Sequence, residues 1–133
     1  MTIAEKQTCL ITDLMIIEDV QERLSAVVSR AAKKALSEED KTQDRLVKGC
    51  LSRVWLKAER QNGRCAFQSD ADSPMVKGLV ALLCEVYDGG LLEEVVATEC
   101  RLWEALGFCK LLSPTRMQGL AAVRAKMIAD GAG

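Results

Sequence analysis

In SRVWLKAERQNGRCAFQS, residues 52–69, Val54, Leu56 and Ala58 alternate with Arg53, Trp55 and Lys57, and a shorter alternation resumes through Cys65 and Phe67. A period of two sends successive side chains to opposite faces of a strand. Asn62-Gly63 between the two runs tolerates the positive φ angles of a two-residue type I′ turn. The stretch therefore predicts an antiparallel hairpin. RLVKG just before it predicts a third antiparallel strand, which places Cys50 on a loop at the edge of the sheet.

On either side the grammar is helical. From Leu10 to Leu36 the residues Leu10, Leu14, Ile17, Leu24, Val27, Val28, Ala31 and Ala35 recur mostly at steps of three and four, the spacing of an amphipathic helix. Asp19 is placed to cap a second helix within that run. SEEDKTQD, residues 37–44, is polar without periodicity and reads as a surface connection. Ser73-Pro74 opens a helix that is apolar nearly all round and stops at Gly89-Gly90; serine caps the first turn and proline fits its first position. Shorter helices follow in LLEEVVA and CRLWEALG. Ser113-Pro114 repeats the start signal for a last helix carrying Leu120, Val123 and Met127 on one face.

With 133 residues, 49% of them hydrophobic, the chain suits one domain, residues 1–133, with one core. Eighteen basic against nineteen acidic residues leave a net charge of -1, so no bulk field draws nucleic acid or an anionic membrane. No apolar run reaches the length of a membrane span, and MTIAEKQTCLITD has neither a basic signal-peptide start nor transit-peptide character, so the expected location is the cytoplasm.

Six cysteines, at positions 9, 50, 65, 84, 100 and 109, form no C-x-x-C pair, and the chain has no histidine. A disulfide framework, a structural zinc and Cys-His nucleophile chemistry are all disfavoured. Cys84 and Cys100 fall in helical patterns, Cys65 in a strand, and Cys109 beside apolar Phe108, Leu111 and Leu112, as core thiols would. Cys9 stands near the N-terminus. Cys50 differs. Gly49 lets the backbone turn, Lys48 and Arg53 lie close in sequence, and the nearest acid is Asp44; positive neighbours favour a thiolate.

These residues resemble the SufE family of sulfur acceptor proteins. GCLSRVW is similar to the family's G-C-x-S-x-V-W, with Cys50 at the sulfur-accepting position. QSDADSPMVKGL, residues 68–79, is similar to its acidic stretch followed by I/V-V-K/R-G-L, and SPTRMQGL, residues 113–120, to S/T-P-S-R-x-N/Q-G-L. The blocks keep the family's order. Leu51 replaces a common glutamine, Val20 a common tryptophan, and the usual Leu-Pro element before the sheet is missing. The resemblance implies an α+β fold, a three-stranded antiparallel sheet packed by N- and C-terminal helices, shared with IscU-type scaffolds. It implies that Cys50 receives persulfide sulfur from a cysteine desulfurase and passes it toward a downstream iron-sulfur assembly scaffold. Pyridoxal phosphate would stay on the desulfurase, and this chain would be an accessory protein with no cofactor or metal of its own. Arg116 at a helix start is then expected to dock the partner or orient the Cys50 loop, with Lys48 and Arg53 flanking the thiol. Asp70 and Asp72 serve either as docking residues or as caps of the following helix. The alternatives are an iron-sulfur scaffold and a non-catalytic interaction domain.

Overall fold

A computed structural model describes residues 1–50 and 52–132. Two N-terminal helices, α1 (Ile3–Met15) and α2 (Val20–Ala31), precede the strands β1 (Val54–Gln61) and β2 (Arg64–Ala71). Four helices follow: α3 (Pro74–Tyr87), α4 (Leu92–Ala97), α5 (Leu102–Ala105) and α6 (Pro114–Ala132). A SufE-type α+β arrangement of helices on an antiparallel sheet is what the sequence predicts. The sheet has two strands among the described residues, not the three expected.

The missing strand has a local cause. Leu46 forms a single antiparallel bridge to Trp55, and the Val47 N–H donates to the Val54 carbonyl at 2.8 Å. A short 3-10 turn (Gln43–Arg45) delivers the chain to this point, and Gly49, at φ 94°, turns it away again. Pairing is thus confined to one bridge. The hairpin itself follows the sequence: Gln61 pairs with Arg64 across the turn, and Asn62 and Gly63 have φ 55° and 78°, both positive as type I′ requires.

The hairpin buries one face. Val54, Leu56, Cys65 and Phe67 point into the core, where α3 packs against β2 and α6 against β1. Leu79, Val80, Leu82, Leu83, Val86 and Tyr87 make α3 the most buried helix, each side chain contributing on the order of 1.5–3 kcal/mol relative to exposure. Ser73 caps it through the Val76 N–H, and Asp19 caps α2 through the Glu22 N–H, as expected. Where α2 crosses α3 the backbones nearly touch: a Cβ on Gly78 would lie 2.8 Å from the Val28 Cα.

Three buried polar residues hold the N-terminal part in place; Gln7 of α1 donates to the Glu99 carbonyl and accepts the Arg101 N–H. Arg23 donates to the carbonyls of Leu14, Ile17, Glu18 and Leu106, tying the α1–α2 junction to the end of α5. Asp70 is 5% exposed and accepts the N–H groups of Leu36 and Ala71, with Lys41 Nζ at 3.4 Å and Lys77 Nζ at 3.8 Å. Its role as an α3 cap is therefore corrected; it fastens the α2–β1 connection to the sheet. Asp72 is not the cap either, and pairs with Arg53 at 2.7 Å. No described helix is long and apolar enough to cross a membrane.

Burial pushes the Asp70 carboxyl pKa up, but the Leu36 and Ala71 N–H groups and the two lysines outweigh it and hold it below the ordinary value. A depressed folded pKa gives stability that is present above the unfolded pKa of about 3.9 and lost as pH falls through the lower folded value. Asp70→Asn is expected to lower stability at pH 7 by about 1–3 kcal/mol, measured by denaturant unfolding. The gap from wild type should close below the folded pKa.

Candidate functional site

Cys50 sits at the end of the Gly49 turn, half-buried, and its neighbours in space are not its neighbours in sequence. Its Sγ donates to the Gly119 carbonyl at 3.6 Å, across 69 positions of chain. Gly119 lies inside α6, where Ser113 receives the Arg116 N–H at 3.2 Å and opens the helix as the sequence predicts. Any larger residue would crowd the sulfur: a Cβ at position 119 would stand 3.3 Å from Sγ.

A small cavity adjoins the thiol. Cys50 and Ser52 line it from the loop, Val76 and Val80 from α3, and Arg116, Gly119, Leu120 and Val123 from α6. Its volume of about 30 Å³ holds roughly one water-sized atom. The walls are chiefly apolar, with the Ser52 side chain and Arg116 as polar members. Arg116 and Cys50 are thus brought together, although 66 positions separate them in sequence (116 − 50). Sequence reasoning does not single out Gly119, Val76, Val80, Leu120 or Val123 as site residues. The one signal for Gly119 is a glycine inside a helical run, where it costs about 1 kcal/mol against alanine and so points to a packing reason.

The flanking cations do not converge on the sulfur. Arg53 is bound to Asp72 and lies 5.2 Å from the Trp55 ring centroid, with Lys41 also over that ring at 5.1 Å. Lys48 is exposed and lines a separate groove with Asp44, Ala122 and Lys126. Burial instead pushes the Cys50 thiol pKa up, the reverse of the expectation from local sequence, because desolvation penalises the charged thiolate. Asp70 and Asp72 do not reach the cavity lining. Leu51 lies outside the described residues.

The other cysteines divide differently from their sequence pattern. Cys65 and Cys84 are buried, burial raising the Cys84 pKa to about 12. Cys100 is half-buried with a raised pKa caused first by burial. Cys109, expected in the core, is exposed on a 3-10 turn, and Cys9 is exposed on α1. Among the described residues no three Cys, Asp or Glu side chains form a metal-binding group.

Fold and site together define an α+β protein in which the loop cysteine Cys50 rests against a glycine of the last helix, beside a cavity of atomic size. The sequence pattern described as "SufE: Fe-S metabolism associated domain" matches residues 8–130, and the chain belongs to this SufE family. A SufE-like protein of Rhizobium etli is 30% identical over 120 residues, covering 86% of this chain and 81% of that one. In fold, the chain is similar to a Thermus thermophilus protein solved in solution, with a TM-score of 0.77, 19% identity, and coverage of 96% of this chain and 93% of that one.

Alkylation of the native protein should therefore modify Cys9 and Cys109 first and Cys50 slowly, the Cys50 rate rising with pH beyond the ordinary thiol pKa of about 8.5. Gly119→Ala should remain folded and label faster at Cys50. Overpacking of about 1–3 kcal/mol, equivalent to roughly one to two powers of ten, would push the sulfur outward. Peptide mass mapping of timed alkylation reads both results; Cys50 labelling no faster in Gly119→Ala would show that the glycine does not hold the thiol in.

Proposed function

We propose that this protein is a sulfur acceptor that takes persulfide sulfur from a cysteine desulfurase onto Cys50, stimulates that enzyme by clearing its product, and delivers sulfur for iron-sulfur assembly. The observation that carries this reading is the Cys50 thiol resting against Gly119 beside an atom-sized, largely apolar cavity. Membership of a family associated with Fe-S metabolism supports it.

The chemistry is thiol exchange at sulfur. The Cys50 thiolate attacks the outer sulfur of the partner's cysteine persulfide. A new S–S bond forms on Cys50, the donor's S–S bond breaks, and the partner's cysteine leaves as a thiolate. The pyridoxal phosphate that made the persulfide stays on the desulfurase. Nothing in the step calls for a metal or a histidine base. In the resting state the thiol is sheltered and held protonated; docking must draw it out into water or against partner charge before it attacks. Once loaded, the outer sulfur has a space of its own size in which to avoid reductants.

Arg116 lines the same cavity. Its proposed role is to orient the Cys50 loop and hold the terminal sulfur's developing charge near α6. Lys48 and Arg53, both exposed, are proposed to meet the partner at the rim together with Asp72, which Arg53 holds. Asp70 acts only through the connection it fastens. The scaffold alternative needs several convergent thiolate or carboxylate ligands, and the described residues offer no such group.

The deciding variant is Cys50→Ser, which keeps the size of the side chain and removes the sulfur nucleophile. With a cysteine desulfurase, wild type is expected to raise turnover of free cysteine and to gain the mass of sulfur, and Cys50→Ser to do neither while keeping its thermal midpoint near wild type. Serine replacements at Cys9, Cys65, Cys84, Cys100 and Cys109 should leave sulfur uptake intact wherever the domain folds. A Cys50→Ser protein that still stimulates the enzyme and carries the adduct would overturn the reading.

A further inference from the structure

The outer edge of β2 is unpaired along its middle and opens into a wide groove. The pairing pattern fixes which groups face outward. Cys65 turns its N–H and C=O away from β1, giving one to the Gly90 carbonyl and receiving the Gly89 N–H with the other, at 2.8 and 2.7 Å. In an antiparallel ladder this orientation repeats every second residue, so Phe67, Ser69 and Ala71 also point their backbone groups outward. The Phe67 N–H is taken by Asp88 Oδ1 and the Ala71 N–H by Asp70 Oδ1, both at 2.8 Å. For the Phe67 carbonyl and both backbone groups of Ser69, no hydrogen-bond partner stands among the described residues.

These groups lie in a groove of about 920 Å³. Ala81 and Cys84 of α3 line it together with Lys33 and Lys34, just beyond α2. Lys6 and Lys57 line it too. The acids that also line it are engaged: Glu59 by Lys57, Glu85 by Arg30 at 2.7 Å, and Asp88 by the Phe67 N–H. Lys33 and Lys34 are exposed and have no ion pair among the described residues. The groove shares no lining residue with the Cys50 cavity.

We infer that the β2 edge at Phe67–Ser69 is a docking site for an extended, acidic segment of a partner protein, which adds as a third strand. Main-chain hydrogen bonds to an open edge supply affinity, and alternate side chains supply selection. Ala81 and Cys84 in the groove suit small apolar side chains, and Lys33 and Lys34 suit carboxylates. A segment alternating small apolar residues with carboxylates fits both. A second copy of this chain is a poor occupant, since a two-fold pairing of β2 edges would set these lysines against their own copies.

The probe is a terminally blocked heptapeptide alternating valine with glutamate, titrated into isotope-labelled full-length protein at low salt. Saturable amide shifts are expected at Phe67, Gln68 and Ser69 and at Lys33 and Lys34, with slowed hydrogen exchange at the Ser69 N–H. Methylating the probe's alternate backbone nitrogens on the face that pairs should weaken binding by about tenfold or more. Replacing glutamate with lysine in the probe, or Lys33→Glu with Lys34→Glu in the protein, should weaken it comparably, and added salt should do so progressively. Ser69→Pro, which removes the outward N–H from an edge position, should abolish the shifts; should it unfold, the methylated probe still decides. Three results would overturn the inference: no saturable shift at residues 67–69, equal binding of the lysine or methylated probe, or self-association of the free protein that protects the Ser69 amide.

Discussion

Everything near Cys50 depends on covering one face of a two-stranded hairpin. Two strands alone are marginal in water, and this pair persists because Val54, Leu56, Cys65 and Phe67 are buried between α3 and α6. The same burial sets where α6 must lie. It follows the hairpin closely enough that its glycines meet a cysteine at each end, Gly119 against Cys50 and Gly131 against Cys65, each with a prospective Cβ 3.3 Å from sulfur. The floor under Cys50 is therefore a by-product of core packing rather than of the loop's own sequence.

That origin explains which parts of the molecule were legible in the sequence. Asn62-Gly63, Ser73-Pro74, Ser113-Pro114 and Asp19 act through hydrogen bonds and φ angles within a few residues, and each does in space what its local pattern predicts. The third strand failed because pairing at Leu46 and Val47 depends on how long the chain stays beside β1, and the Gly49 turn ends it after one bridge. Asp70 looked like a helix cap by position, but its partners Leu36 and Lys41 come from a connection that the polar pattern marked only as loop.

The thiol environment failed for the same reason, in the opposite direction. Lys48 and Arg53 lie close to Cys50 in sequence, yet one is turned to a different groove and the other is engaged by Asp72 and Trp55. What reaches the sulfur instead is α6, from 69 positions away. Burial outweighs nearby formal charge when the charges point elsewhere, since only the former changes the solvation of the sulfur itself. The block SPTRMQGL was legible as a unit of resemblance, but its Gly119 acquires a physical meaning only once it is seen under Cys50.

On the proposed reading, shelter and reactivity are two positions of the Cys50 thiol. The Gly119 carbonyl accepts the S–H hydrogen bond but cannot take its proton, and the chain has no histidine to do so. Thiolate formation then requires moving the sulfur to water or to a partner's charge, where the desolvation that raises its pKa is relieved. Two backbone hydrogen bonds flank Cys50 along the chain: Val47 N–H to the Val54 carbonyl on one side, and Asp72 N–H to the Arg53 carbonyl on the other, at 2.8 and 3.1 Å. Gly49, directly before Cys50, has a positive φ. Val76 and Val80 of α3 and Gly119, Leu120 and Val123 of α6 line most of the cavity, so on this reading it stays formed while the sulfur is away and is ready to receive it again with a second sulfur attached.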